Sequence, residues 1–120
     1  ETAKELGVTI VAWGPVASGL LTGKFHKDPQ TLANTPLIRR RRFRRQIESS
    51  RPVITALDEI AARYDVTPAQ VALNWLIHFQ GDAVVVIPGA SRVQHAEESA
   101  GAMKFILSDD ELAQLDQITR

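Results

Sequence analysis

Ala83-Val84-Val85-Val86-Ile87-Pro88-Gly89-Ala90-Ser91-Arg92 is the stretch from which the fold is read. Its first five residues are apolar, mostly β-branched, and show no polar alternation. Such a run predicts a strand over residues 83–87 buried on both faces, as in a parallel sheet. Pro88 and Gly89 stop the strand. Ser91-Arg92-Val93-Gln94 then has the spacing of a helix capping box, which predicts a helix from there to about Ala100.

Upstream, residues 8–13 (V-T-I-V-A-W) form a second continuous apolar run and predict a second buried strand. Residues 1–6 before it read as the last turn of a helix, with Gly7 as the left-handed cap. Between the strands lies a long connection, from Gly14 to about Ser50, broken by Gly19, Gly23, Pro29 and Pro36. A helix is expected to begin near Pro52, since proline is tolerated in a first turn. Val53, Leu57, Ile60, Ala61 and Tyr64 share one of its faces. Thr67-Pro68-Ala69-Gln70 is a second capping box. The helix it opens, to about Phe79, is apolar nearly all round (Val71, Leu73, Trp75, Leu76, Ile77, Phe79) and is expected to be buried. Gly81-Asp82 turns the chain into the strand at 83–87. Ser108-Asp109-Asp110-Glu111 opens a last helix, with Leu112, Leu115 and Ile118 on one stripe.

Two parallel strands separated by helices belong to the α/β class. They cannot make a self-sufficient parallel sheet. A complete (β/α)8 TIM barrel needs roughly 250 residues, and this chain has 120. The pattern therefore reads as a piece of a larger sheet, and an opening at Glu1, without Met and inside helix-like sequence, agrees with that. Hydrophobic residues at 44% and charged residues at 23% are ordinary for a globular chain. Fourteen basic and fourteen acidic residues balance, so no global field favours nucleic acid or a membrane surface. No apolar run is long enough to span a bilayer. The absence of cysteine excludes disulfides, thiolate catalysis and cysteine metal sites, and is compatible with a cytoplasmic location.

The chemistry gathers at the two strand ends. Gly89 allows backbone to approach a ligand closely. A helix N-terminus following it attracts phosphate through its free N–H groups, and Arg92 adds charge. An ordinary strand–turn–helix connection is the plainer alternative. At the other strand end, Trp13 could form a flat wall for an aromatic ring, or simply belong to the core. The small residues after it would let backbone N–H groups reach a pyrophosphate, with Lys24 as a point charge. In eight-stranded barrels the phosphate site commonly lies at the loops after the last two strands. The run of Arg39 to Arg42 with Arg44 and Arg45 reads as a solvated loop end, or as a nucleic-acid patch that the zero net charge disfavours.

Three blocks resemble the aldo-keto reductase family, in order and across nearly the whole chain. V-A-W-G-P-V-A-S-G-L-L-T-G-K is similar to the family's seventh-strand segment. T-P-A-Q-V-A-L-N-W resembles T-P-A-Q-x-A-L-x-W. I-P-G-A-S-R-V-Q-H-A-E-E-S-A-G is similar to the eighth-strand and adenosine-binding segment. The resemblance implies that residues 1–120 are a partial domain, the C-terminal portion of a (β/α)8 TIM barrel with about its last two strands. It implies a cytoplasmic parent reductase of aldehydes or ketones that uses NADP(H) and a small-molecule carbonyl substrate. It also implies site roles. Trp13 would stack on the nicotinamide, and Gly14, Pro15, Val16, Ser18 and Lys24 would line the pyrophosphate. Gly89, Ala90, Ser91 and Arg92 would hold the 2′-phosphate, and Glu98 the adenine or ribose side. One of residues 39–44 would also reach the phosphates. Gly14 stands where relatives often have Ser, His95 where they often have Arg or Gln, and Ser99 where they often have Asn. These three bear on affinity and on the choice between NADP and NAD.

The family's Tyr acid, tuned by Lys, Asp and His, lies on earlier strands, so no catalytic residue is expected here and the chain alone is expected to be inert. Tyr64 is at core spacing on a helix. His26, His78 and His95 fall in loop, buried-helix and helix-start contexts, and no metal-ligand cluster is seen. A redox-sensing regulatory subunit of the same fold, like the family's channel β-subunits, is the alternative from another class. A truncated reading frame without function is a third.

Overall fold

The computed structural model describes residues 2–79 and 81–120, the side chain of Asp82 excepted. In chain order it contains α1 (Thr2–Glu5), β1 (Ile10–Trp13), a 3₁₀ turn (Ala17–Thr22), α2 (Lys24–Lys27), α3 (Pro29–Ala33), α4 (Leu37–Tyr64) and α5 (Pro68–His78). A second 3₁₀ turn (Gly81–Ala83), β2 (Val84–Ile87), α6 (Val93–Gly101) and α7 (Asp109–Thr119) complete it. Glu1, where the first helix was expected to start, lies outside the described residues. Gly7 has the expected left-handed backbone, with φ +63°. β1 and β2 pair directly and in parallel, with Ile10 opposite Val84 and Trp13 opposite Ile87. That register brings the two carboxyl ends level.

The connection between the strands departs from the sequence expectation. It is not a loop to Ser50: α4 starts at Leu37 and runs 28 residues without a break, with Pro52 inside it. At 1.5 Å per residue this is about 42 Å of helix, close to the molecule's longest extent of 44 Å. Two things carry the helix past the proline. The run of Arg, Gln and Glu consists of strong helix formers without glycine. Ile54, Leu57 and Ile60 also anchor the part beyond Pro52 in the core, which offsets the N–H partner that it takes from the Glu48 carbonyl. Ser50 Oγ donates to the Gln46 carbonyl at 2.6 Å, and Ser49 Oγ to the same carbonyl at 3.1 Å.

The core sits among the helices and not at the sheet. Ile54, Ala56, Leu57, Ile60 and Ala61 of α4 pack with Val71 and Ala72 of α5, with Leu107 in the loop before α7 and with Leu115 of α7. A smaller cluster of Leu20, Phe25 and Phe43 fastens the 3₁₀ turn and α2 to the arginine-rich half of α4. The strands are correspondingly bare. Of β1 and β2 only Val84 is buried, and Ile10, Val11, Val85 and Ile87 are about half exposed. The expectation of burial on both faces is thus corrected, because the described elements cover one side of this two-stranded sheet. α5 is likewise buried only over its first half, through Asn74, while His78 is exposed.

Two capping boxes form as read. Thr67 accepts from the Gln70 N–H, and Ser108 from the Glu111 N–H, with the Gln and Glu side chains reaching back in each case. Glu111 does more than cap. Its buried carboxylate accepts the Tyr64 hydroxyl at 2.7 Å and pairs with Arg63 at 3.2 Å. Burial opposes its ionisation, yet the Ser108 N–H, the Tyr64 hydroxyl and Arg63 outweigh that and hold the carboxyl below its ordinary range. A depressed folded-state value means stability fully present above the unfolded value of about 4.3. It is lost as pH falls through the folded value. Melting temperature followed from pH 7 to pH 3 should therefore drop more steeply in the parent chain than in Glu111→Gln. At pH 7 the variant should be less stable by about 1–3 kcal/mol. Parallel pH profiles would place the acid sensitivity elsewhere.

Candidate functional site

A cleft of about 720 Å³ opens where β1 and β2 end side by side. Trp13, the last residue of β1, is 89% exposed and lines it, so the indole is a wall of the cleft and not part of the core. Its register partner Ile87 faces the same space from β2, followed by Pro88 and Gly89. Ala69 and Leu73 of α5 add apolar lining. α6 contributes His95, Glu98 and Ser99, and α4 contributes Arg42.

After Trp13 the backbone takes an unusual path. Gly14 has φ +66°, and three successive residues, Ala17, Ser18 and Gly19, have φ of +49°, +58° and +91°. Two of their three N–H groups are used locally, that of Ala17 by the Gly14 carbonyl at 2.9 Å and that of Gly19 by the Val16 carbonyl at 3.0 Å, so of the three the turn offers an anion the Ser18 N–H. Two of the three carry a Cβ, so the turn is strained, and strain of this kind clusters at ligand clamps. Gly19 does two jobs. It supplies the φ, and its missing Cβ leaves room for Lys24, whose Cε would stand 3.4 Å from that atom. Lys24 thereby lies over the turn, its Nζ 5.0 Å from the Phe25 ring centroid.

Opposite, α6 begins one residue later than its sequence suggests. Arg92 is the N-cap, with extended backbone at φ −141° and ψ 153°, and no side chain caps the helix. The expected Ser91–Gln94 box therefore does not form. Its hydroxyl sits one place too early and meets His95 Nδ1 at 3.4 Å instead. The consequence is that the Val93 and Gln94 N–H groups have no partner among the described residues, while that of His95 donates to the Arg92 carbonyl at 3.1 Å. Glu98 is held from behind: Thr67 Oγ1 donates to its Oε1 at 2.6 Å, and Gln70 Nε2 to its backbone carbonyl at 2.9 Å. A Cβ at Gly101 would collide with that Gln70 amide, so the glycine lets α5 and α6 approach.

Of the residues singled out from sequence, Trp13, Gly14, Val16, Ser18, Lys24, Gly89, His95, Glu98 and Ser99 line this cleft. Pro15 does not; it lines an apolar groove of about 380 Å³ on the other side of the turn, with Leu20, Leu57 and Trp75. Ala90, Ser91 and Arg92 are exposed and outside the lining. Sequence reasoning left the arginine facing the cleft unnamed, and it overlooked Thr67 and Gln70 as the anchors of Glu98. It also passed over Asn74, whose buried amide donates to the carbonyls of Ala102 and Phe105 at 2.8 and 2.6 Å.

Tyr64 and His26 make structural contacts away from the cleft, although His26 Nδ1 is buried without a hydrogen-bond partner among the described residues. Tyr64 donates to Glu111, which with burial pushes its hydroxyl above the usual phenol value. His26 lies in α2 and bonds Ser50 at 2.9 Å; burial, aided by Arg51, holds its imidazole below the ordinary value. Among the described residues no three His, Asp or Glu side chains gather as a metal site.

The family model described as the aldo/keto reductase family matches residues 1–120. The chain belongs to the aldo/keto reductase family. It is 36% identical to aldo-keto reductase str7 of Strobilurus tenacellus, covering 94% of this chain and 34% of that protein. Its identity to aldo-keto reductase yakc [NADP(+)] of Schizosaccharomyces pombe is 34%, covering 91% and 32% respectively. With the chloroplastic pyridoxal reductase of Arabidopsis thaliana it shares 35%, over 93% and 29%. A thermostable aldo-keto reductase crystallised with the inhibitor epalrestat superposes with a TM-score of 0.67 at 30% identity, covering 98% of this chain and 32% of that one. The chain thus spans about a third of the length of these aldo-keto reductases, and its fold is a portion of the TIM barrel of this oxidoreductase family. Among the described residues no helix is long and apolar enough to cross a membrane.

The strain in the turn is measurable. Ala17→Gly, which relieves a left-handed alanine, should raise the stability of the chain by about 0.5–1 kcal/mol, read from the urea midpoint. An unchanged or lower midpoint would mean that residue 17 stores no strain.

Proposed function

We propose that residues 1–120 are the C-terminal, NADP(H)-holding part of a cytoplasmic aldo-keto reductase acting on small aldehydes or ketones. The observation that carries this reading is the cleft itself. A bare indole stands at one end of a space whose other walls carry the left-handed turn after β1 and two cations, Lys24 and Arg42, with the uncapped start of α6 beside it. Those are the parts a phosphorylated dinucleotide with an aromatic head requires.

The fit can be followed residue by residue. Trp13 presents a flat apolar face against which a nicotinamide ring stacks, and Ile87 limits the ring from the other strand. Gly14 offers backbone alone. The Ser18 N–H of the left-handed turn is available to a pyrophosphate, and Lys24 with Arg42 neutralise its charge. The Val93 and Gln94 N–H groups at the start of α6, with Ser91 and Arg92 beside them, suit a phosphomonoester at the cleft's outer rim. His95, Glu98 and Ser99 border the adenosine side, with Glu98 oriented by Thr67. The bound cofactor supplies the hydride; these residues hold and orient it. No proton donor is supplied here, since Tyr64 is committed to Glu111 away from the cleft. The name of the Schizosaccharomyces relative, which includes NADP(+), supports the choice of nucleotide. A small-molecule carbonyl substrate, and neither nucleic acid nor a membrane as partner, complete the reading.

Titrating the chain with NADPH while following Trp fluorescence tests it. Saturable quenching, tighter for NADPH than for NADH and abolished in Trp13→Leu, is the expected result; Trp75 remains as the internal reference. Reduction of a simple aromatic aldehyde by the chain alone should be undetectable. A flat titration, or quenching that survives Trp13→Leu, would reject the site.

A further inference from the structure

Helix α2 has little stability of its own. It is four residues long, well below the length at which an isolated helix forms in water, so its place depends on what fastens it to α4. Phe25 packs on Phe43 with ring centroids 4.6 Å apart. His26 Nε2 lies 2.9 Å from Ser50 Oγ, and Lys27 pairs with Asp58 at 2.6 Å. The ion pair is largely exposed, and pairs of that kind contribute little. Lys24, the first residue of α2, stands in the wall of the cleft. The position of one cleft cation therefore depends on Phe25 and His26.

The surroundings of His26 favour the neutral ring. Ser50 gives its hydroxyl proton to the Gln46 carbonyl at 2.6 Å, so its oxygen accepts from His26 Nε2–H. Nδ1 is buried and has no hydrogen-bond partner among the described residues. A proton added there would place a charge out of water, with the Arg51 guanidinium nearby. The carboxylates that could offset it are engaged: Glu48 accepts from Arg51 at 2.9 Å, and Asp58 from Lys27. The 3₁₀ turn and α3, which also pack on α2, bring no charged side chain. Asp28, between α2 and α3, is turned to the Gln30 and Thr31 N–H groups. Burial and then Arg51 outweigh the Ile47 carbonyl, Asp58 and Glu48, and hold the imidazole below its ordinary value.

We propose that His26 is an acid-sensitive latch: a proton on Nδ1 loosens α2 from α4 and takes Lys24 out of the cleft wall, so that the cleft releases its anionic cofactor in mild acid. The release of cofactor rests on the function proposed above; the latch does not. Closure is complete above the value of a free imidazole, about 6.5. Because the closed form holds the ring below that value, closure is lost as pH falls through the closed-form value.

Hydrogen exchange of the α2 amides, with the parent chain and His26→Gln compared at the same pH, reads the latch without any ligand. Gln keeps a donor for Ser50 and has nothing to titrate. The reporters are the Asp28 N–H, which bonds the Lys24 carbonyl at 3.0 Å, and those of His26 and Lys27, which bond the Gly23 carbonyl. From about pH 7.5 to about pH 5.5 their protection should fall about fivefold further in the parent than in the variant, while the amides of α5 keep one ratio. The fall should share its midpoint with the NMR titration of the His26 ring, a reading that needs no variant. NADP+ titrated over the same range by Trp fluorescence should lose about fivefold more affinity in the parent; the titration of the ligand's own phosphate is common to both proteins. Parallel α2 protection in the two chains, or a fall away from the His26 midpoint, would overturn the latch. An α2 that opens while both chains lose NADP+ alike would overturn its hold on the cleft. If α2 opens as described and no NADP+ binds at either pH, the cofactor site fails and the latch stands.

Discussion

Helix α5 is in contact with most of what positions the cleft, and it is held there through polar side chains directed at other elements. Asn74, fully buried, donates both amide hydrogens to the loop after α6. Gln70 closes the cap of its own helix and, with the same side chain, grips the Glu98 carbonyl on α6. Thr67 accepts a capping bond and donates to the Glu98 carboxylate. Only Asn74 of the three is buried; its amide hydrogens are satisfied, while its Oδ1 finds no partner among the described residues, so losing either bond would leave a further buried polar atom unpaired. The geometry of α6, and with it the outer half of the cleft, therefore depends on this one polar seam. Gly101 makes it possible by leaving the space that the Gln70 amide fills.

The division of labour that results is unusual for a protein read as strands and helices in alternation. Here helices α4, α5 and α7 keep each other folded, and the sheet contributes position. Two short strands level their carboxyl ends, and the site grows from the segments that leave them. This agrees with a chain that spans about a third of its relatives: the helical packing is largely internal to it, while the strands keep half-exposed Ile10, Val11, Val85 and Ile87. Ligand sites at the carboxyl ends of parallel strands are the general rule for barrels.

The sequence was most readable where local chemistry is self-contained. Both apolar runs are strands, and the boxes at Thr67 and Ser108 cap as their spacing says. Trp13 was the ambiguous case, since an aromatic at a strand end is as compatible with a core as with a wall; its exposure decides for the wall. The start of the long helix is hidden because a proline is as compatible with a first helical turn as with the interior position that Pro52 occupies. The better signal was a stripe of Phe43, Ile47, Ser50, Ile54 and Leu57, which keeps helical spacing straight through the proline. The box at Ser91 failed for the opposite reason. Its residues were right, but Arg92 is extended, and no local pattern reports a one-residue shift set by how α6 docks on α5. The Thr67–Glu98 bond spans 31 residues and is invisible to any reading that moves along the chain.

Pro52 divides α4 in another sense. At that point the ladder of backbone bonds lacks a rung, so fraying that begins at Leu37 meets a boundary there. The half beyond it is buried in the main core, whereas the arginine half is fastened by the small cluster around Phe43. Opening of the first half need not spread to the second, and the two should exchange their amide hydrogens as separate cooperative units. A helix interrupted in this way can loosen its grip on a cleft without unravelling the body that supports it.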